Sequence, residues 1–502
     1  MFQNQKNSWI HIPLTICALV VSVFISVSCS DDESFTTDPT TLLSFESDTI
    51  KFDTIFSTVP STTKRIRLFN RSSKGLHIQS VRLASGGSSG FRFNVDGYSG
   101  PVVDKIEIGG NDSLFLFTDV TLPLQDTDSP TLVRDTLLFR LESGVEQRLL
   151  LEATTLNADF MDAQVISGNL TLEGPRPVIV RDSLIVGENA TLTVKAGTVL
   201  CFHSGAWLGV KGKLRVEGTA EAPVVFRGDR TDRMFSYLPY DRLDGQWGGI
   251  ILQKGCQSCE IDHADIHGGS WGIIADDFGS DSEILTLTNS SIHNVRACAL
   301  ELTDSRATVA NTQLSNAGGD CVRLTGGNYS FTYCTLAQFY PWGSCGYALS
   351  LSAGTDDDYK PLESAAFINC VITGRVSDQI SLSPPKNVDI ALNASFAGSL
   401  VNIDLPSDTP ERYRVMFEGA VNEYEQFEKD AASDVKDEKR SFGRGNFKVV
   451  DDDLYDYDFH LDTLSNARGV ADAEAGSRYP TDRDGHQRPA TKPDAGCYQF
   501  IE

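Results

Sequence analysis

Basic residues are scarce in this chain. Lys and Arg number 43 against 68 Asp and Glu, a formal net charge of −25 over 502 residues. Neutralising nucleic-acid phosphates takes clustered cations, so this balance argues against a nucleic-acid partner. Methionine is nearly missing, at 4 residues, while 42 glycines separate short Val/Ile/Leu alternations. That pattern favours strands over helices. The one C-x-x-C, Cys256 to Cys259, has no second Cys or His pair at zinc-finger spacing, which argues against a structural zinc site.

The single long apolar stretch, Trp9 to Val27, follows Lys6 and ends in Ser26-Val27-Ser28 directly before Cys29. The stretch reads as an export signal. Its small residues before a cysteine resemble a bacterial lipoprotein signal, which implies lipidation of Cys29; an uncleaved membrane anchor is the alternative. Ser30-Asp31-Asp32-Glu33 resembles the acidic signal that sends Bacteroides-type lipoproteins to the outer face of the outer membrane. Residues 29–41 then read as an acidic flexible tether. Beyond Cys17 and Cys29 nine cysteines remain, an odd number that cannot all pair. Most are expected to act as small buried hydrophobes.

Residues 42–157 carry short strand patterns: Leu42 to Phe45, Ile50 to Phe52, Arg65 to Phe69, Leu76 to Ile78, Phe91 to Phe93, Ser113 to Phe117, Thr136 to Leu141 and Arg148 to Glu152. Strands at that frequency, joined by turns such as Gly109-Gly110-Asn111-Asp112, predict a two-sheet sandwich. The order of these segments resembles immunoglobulin-like domains.

From residue 158 a repeat takes over. Asn289-Ser290-Ser291-Ile292, Asn311-Thr312-Gln313-Leu314 and Tyr333-Cys334-Thr335-Leu336 start 22 residues apart, Asn369-Cys370-Val371-Ile372 follows after a longer coil, and His263-Ala264-Asp265-Ile266 precedes them in the same frame. Such short strands cannot make ordinary hairpins, but each can stack in parallel on its equivalent one coil later. Ile266, Ile292, Leu314, Leu336 and Ile372 then form an aliphatic ladder, with Leu300, Val322 and Leu349 in a second column. The asparagines are expected to stack at a turn.

Val194 to Thr198, Gly218 to Phe226, Gly245-Gln246-Trp247-Gly248-Gly249-Ile250 and the closing run Asp482-Arg483-Asp484-Gly485 to Cys497-Tyr498 resemble right-handed parallel β-helix (pectin-lyase-like) lipoproteins of the Bacteroides-type cell envelope. The resemblance implies an all-β chain, an immunoglobulin-like β-sandwich followed by a right-handed parallel β-helix, but no particular activity. Six segments are expected: signal peptide 1–28, tether 29–41, sandwich 42–157, β-helix 158–403, charged insertion 404–446 and closing segment 447–502.

Lyases and hydrolases use this fold, so two chemistries compete with plain structure. Asp262, His263, Asp265 and His267 offer the base and charge partner of a lyase, though His263 shares the frame of Asn289 and a turn role accounts for it. Asp276, Asp277, Asp281 and Asp320 offer hydrolase carboxylates, yet no Gly-His-Gly or Arg-x-Lys completes a polygalacturonase-like set. Calcium is the one ion suggested, by Asp451 to Asp453, Asp456, Asp458, Asp482 and Asp484, without the bidentate Glu of a calcium loop; no other metal or cofactor is expected. Trp271, Tyr329, Tyr340, Trp342 and Tyr347 are candidate sugar platforms, with Tyr340 and Trp342 in an interrupting loop the best exposed pair. Three functions are therefore expected in this order. The first is a non-catalytic glycan or envelope-component recognition module, lipid-anchored at the outer membrane and surface-exposed. The second is a polysaccharide lyase or glycoside hydrolase. The third is a structural or adhesin-like surface protein.

Overall fold

The computed structural model describes residues 34–384, 392–403, 413–423 and 443–502. The signal segment, Cys29 and most of the 404–446 stretch lie outside them. The chain divides into two compact units, one from the chain up to Phe52 with Pro60–Leu122 and Val133–Ala153, the other from Asp53–Val59, Pro123–Leu132 and Thr154–Glu502.

The first unit carries two five-stranded sheets. One orders its strands Leu43–Phe45, Lys64–Asn70, Ser113–Val120, Phe91–Val95 and Tyr98–Ser99; the other Thr49–Phe56, Glu146–Leu156, Thr131–Leu141, Leu76–Leu83 and Val102–Ile108. Each strand segment expected from the sequence overlaps one of these. Alternate residues such as Leu68, Val81, Leu116 and Phe139 are fully buried. Rings meet between the sheets, Phe45 against Phe139 at 5.2 Å and Phe52 against Phe91 at 5.9 Å.

Among the described residues of the second unit, successive strands pass through three parallel sheets in rotation, with 11, 9 and 10 strands. These are the walls of a parallel β-helix. Ala264–His267, Ile273–Asp276 and Glu283–Thr288 belong to the first, second and third walls, and Ser291–Val295 returns to the first. The expected ladder is present: Phe226, Ile266, Ile292, Leu314, Leu336, Ile372 and Val401 pair in sequence along the first wall. Ile273, Leu300, Val322, Leu349 and Ile380 do so along the second. On the third wall Phe331, Phe367, Phe396 and Phe417 stack at centroid spacings of 4.9, 5.1 and 5.2 Å.

The asparagine column is a backbone requirement. His263, Asn289, Asn311, Tyr333 and Asn369 have φ of 50°, 49°, 47°, 52° and 58°, and Gly398 and Gly419 continue the series at the corner between third and first walls. Asn tolerates this left-handed region better than most residues. Its amides also link coils, Asn311 Nδ2 donating to Asn289 Oδ1 at 3.0 Å and Asn289 Nδ2 to Asp262 Oδ1 at 2.8 Å. Tyr333 occupies the same strained position with its ring buried under the Arg488 guanidinium at 3.7 Å.

The next position explains two cysteines. Ser290, Thr312, Cys334, Cys370 and Ser399 each donate to the carbonyl two residues earlier, at 2.6, 2.8, 3.6, 3.4 and 3.0 Å. Cys334 and Cys370 are buried free thiols in a hydroxyl column, where a thiol serves as a weaker donor. Of the nine described cysteines only Cys345 is exposed.

Within the expected charged insertion the coil pattern continues: Tyr413–Glu418 pairs with Leu392–Ala397, and Val421–Asn422 with Leu400–Val401. Apolar Val415 and Phe417 supply the alternation that the surrounding charges obscure. The C-terminal segment adds no coil but lies against the outer face of the first wall. Phe447, Phe459, Ala495, Cys497 and Tyr498 pack there with Ala337, Phe339 and Val371. Gly496 is required by a φ of 94° and by Thr335 Oγ1, only 2.7 Å from where a Cβ would stand.

Leu314→Ala is expected to cost about 2–5 kcal/mol in denaturant unfolding. Asn311→Gly keeps the left-handed corner and loses only the amide bonds, whereas Asn311→Ala loses both, so the Ala variant should be less stable by roughly 1 kcal/mol. Equal stability of the two would refute the conformational account of the column.

Candidate functional site

Ala264 and Ile266 face the core, which leaves Asp265 and His267 on the outer face of the same strand. One coil later Ser291 pairs with Asp265, and His293 with His267. Register thus gathers four polar side chains that are far apart in sequence. Asp265 Oδ1 is their centre, 2.9 Å from His293 Nε2, 3.2 Å from His267 Nδ1, and accepting from Ser291 Oγ at 3.1 Å. The two imidazoles stack at 5.0 Å and 20°.

Two other segments cover this cluster. The 3-10 turn Tyr240–Arg242 brings Asp241 Oδ1 to 3.0 Å from His267 Nε2 and 2.9 Å from Arg227 Nη2. From the C-terminal segment, Arg483 donates to Ser291 Oγ at 3.1 Å and to the Tyr498 hydroxyl at 2.8 Å, and that hydroxyl donates to Gln313 Oε1 at 2.8 Å.

The His267 side chain is only 7% exposed, and both ring nitrogens face carboxylate oxygens. Burial opposes its charge, but Asp265 and then Asp241 outweigh burial and bring its pKa up to about 9. Burial likewise opposes ionisation of Asp265, and attraction to His267 and His293 holds its carboxyl well below the usual range. Without a metal, His267 is an imidazolium clamped between two carboxylates.

Beside the cluster lies a cavity of about 280 Å³, lined by Arg242, Asp265, His293, Gln313, Tyr455 and Arg483 among others. Its other carboxylate, Asp456, pairs with Arg242 Nη2 at 3.0 Å. Tyr455 stacks on the half-exposed Trp342 ring at 4.6 Å and 15°. Asp265, His267 and His293 can each point one ligand atom into a space where all three lie within 4.8 Å.

Of the acids and histidines expected from the sequence, Asp265 and His267 belong to this cluster. Asp262 and His263 sit at the corner, where Asp262 accepts from Thr288 Oγ1 at 2.7 Å and from Asn289, and lies 3.1 Å from His263 Nδ1. Asp276 and Asp277 line a separate cavity of about 350 Å³ with Thr325, Asp358 and Lys360, whose Nζ is 3.7 Å from Asp277. Asp281 is exposed. Asp320 is buried and lines neither cavity; it braces a loop by accepting from Arg323 Nε and Tyr347 N, both at 2.8 Å.

The expected exposure of the aromatic pair holds for Trp342 and not for Tyr340. Tyr340 is 9% exposed and donates its hydroxyl to Asp244, and burial together with Asp244 pushes its pKa up. Trp342 instead pairs with Tyr455, which the sequence reading passed over. Trp271 is partly exposed but lines neither cavity, and Tyr329 is buried in the core. Among the acids considered for calcium, Asp452 pairs with Arg375 and Arg444, and Asp458 and Asp484 flank His460. His293, Asp241, Arg242 and Arg483 were also missed. Extending the ladder frame by one residue would have found His293.

No protein-family model matches the chain, and no curated protein matches it. Among solved structures, the ASH/PapD-like domain 7 of human CEP192 is 13% identical over 25% of this chain and 92% of its own length, with a TM-score of 0.17. The N-terminal domain of PorA is 16% identical over 21% and 87%, with a TM-score of 0.13. ACE19, the collagen binding subdomain of Enterococcus faecalis surface protein ACE, is 11% identical over 21% and 95%, with a TM-score of 0.11. Likenesses at this level carry no functional argument.

A raised histidine pKa stabilises the fold fully below its unfolded value near 6.5, and that contribution disappears as pH rises through about 9. In metal-free buffer the protein should therefore lose on the order of 3 kcal/mol between pH 6.5 and 9.5, and His267→Gln should lack this component. Denaturant titrations at both pH values check it; parallel profiles for the two proteins would count against the clamp.

Proposed function

We propose that this protein is a surface-exposed outer-membrane lipoprotein, anchored through Cys29, whose β-helix recognises a glycan or glycan-bearing envelope component over its first wall. In this reading the N-terminal sandwich is immunoglobulin-like and the solenoid is right-handed, the hand that parallel crossovers adopt almost without exception.

The observation that carries the recognition reading is the Trp342–Tyr455 stack at the edge of the polar cavity. A flat ring accepts the C–H face of a sugar, while Asn316 in the same lining keeps an amide oxygen without a protein partner for a hydroxyl donor. Binding is favoured over hydrolysis because both carboxylates of the cavity are already engaged, Asp265 by two imidazoles and a hydroxyl, Asp456 by an arginine. A hydrolase needs one carboxyl free to protonate the leaving oxygen and another free for water or the anomeric carbon.

Affinity electrophoresis through gels that each contain one polysaccharide, followed by staining for polymer loss, tests this. At least one polysaccharide should retard the protein without clearing, and Trp342→Ala or Tyr455→Ala should weaken that retardation about tenfold, equivalent to roughly 1.4 kcal/mol. A cleared zone would replace recognition by lyase or hydrolase activity. Neither effect across a broad panel would leave the structural or adhesin-like role.

A further inference from the structure

We propose that Asp265, His267 and His293 form a binding site for one divalent transition-metal ion of the zinc type, with a further coordination position open to the cavity on the first wall. The site stands on its own geometry and does not require the glycan reading.

Two edges of the ligand triangle are already at coordination spacing. His293 Nε2 and His267 Nδ1 lie 2.9 and 3.2 Å from Asp265 Oδ1. Ligand atoms about 2.0–2.1 Å from a tetrahedral ion are roughly 3.3 Å apart. One ligand atom from each residue lies within 4.8 Å of the others, and binding turns the two rings out of their 20° stack so that both in-plane lone pairs meet one ion. Two imidazoles and one carboxylate suit zinc or cobalt better than calcium or magnesium, which prefer oxygen ligands alone.

An independent feature points the same way. A histidine that ligates a metal through one nitrogen usually donates the other N–H to a carboxylate, which fixes the tautomer and strengthens the ligand. Asp241 meets His267 Nε2 at 3.0 Å from outside the coil repeat and is itself held by Arg227. Asp241 is thus placed as the outer partner of the His267 ligand. Arg227 already pairs with Asp241, which leaves the Asp265 carboxylate between the two imidazoles to draw a cation in place of the imidazole protons. His293 and Asp265 line the cavity together with Arg242 and Arg483. The open position therefore faces a cavity whose Arg242 is paired with Asp456 and whose Arg483 is held by Ser291 and Tyr498.

The test uses untagged full-length protein stripped with chelator and titrated with Co²⁺ by visible absorption and with Zn²⁺ by calorimetry. One equivalent of each should bind, and Co²⁺ should give ligand-field bands without a thiolate charge-transfer band. Because His267 is buried and its variants risk misfolding, His293→Ala, at a partly exposed ring, is the principal variant; it should bind at least about 100-fold more weakly. Asp241→Asn should lose about 10- to 100-fold. Circular dichroism checks that both variants are folded. Absence of stoichiometric binding, unchanged affinity in folded His293→Ala, or a thiolate band that disappears in Cys345→Ser would overturn the assignment. No glycan enters this measurement, so failure here and failure of the recognition reading are separately visible.

Discussion

From His263 onward each coil turns from the third wall to the first through a residue of positive φ and arrives with its apolar side chain above the one before. The corner at His263, Asn289, Asn311, Tyr333 and Asn369 sets that register. A slip of one residue would exchange core and surface on the whole strand. Burial at roughly 25 cal/mol per Å² of apolar surface therefore acts through the corner, since the Ile266-to-Val401 column stacks only if every corner has the same geometry.

The same register creates the chemistry. Once Ile266 stacks on Ile292, His267 has to lie beside His293 and Asp265 beside Ser291, because neighbours on a strand face opposite sides of the wall. The corner also docks the C-terminal segment: Asn311 Nδ2 donates to the Thr481 carbonyl at 3.0 Å, and Asn311 Oδ1 accepts from Arg488 at 3.1 Å. Through that docking Arg483 and Tyr498 reach the cluster. Corner, cover and site are one mechanical system.

This hierarchy determines what could be read from the sequence. The ladder columns were legible because periodic burial leaves a periodic pattern, and Asp265 and His267 were legible as unusual residues within it. Asp241, Arg483 and Tyr455 were not, since they come from a turn and a tail whose spacing bears no relation to the coil. Tyr340 shows the opposite limit: its place in an interrupting loop suggested exposure, yet Asp244 lies 96 residues earlier and binds its hydroxyl in a closed position. The coil at Tyr413–Glu418 was hidden by the charged residues around its short apolar pattern.

The repeat itself does not need the cluster. Continuing the His267–His293 column along the first wall gives Ser315, Ala337 and Thr373, all small and fully buried. Those coils pair and pack without ionisable groups at this position. Placing two imidazoles and a carboxylate under a cover instead incurs desolvation that apolar or small residues would avoid. Removing either partner would leave a buried charge uncompensated, so the cluster survives only as a set. A costly set confined to two coils, supplied with its own carboxylate from Asp241 and bordered by a cavity, is not a requirement of the fold it sits on.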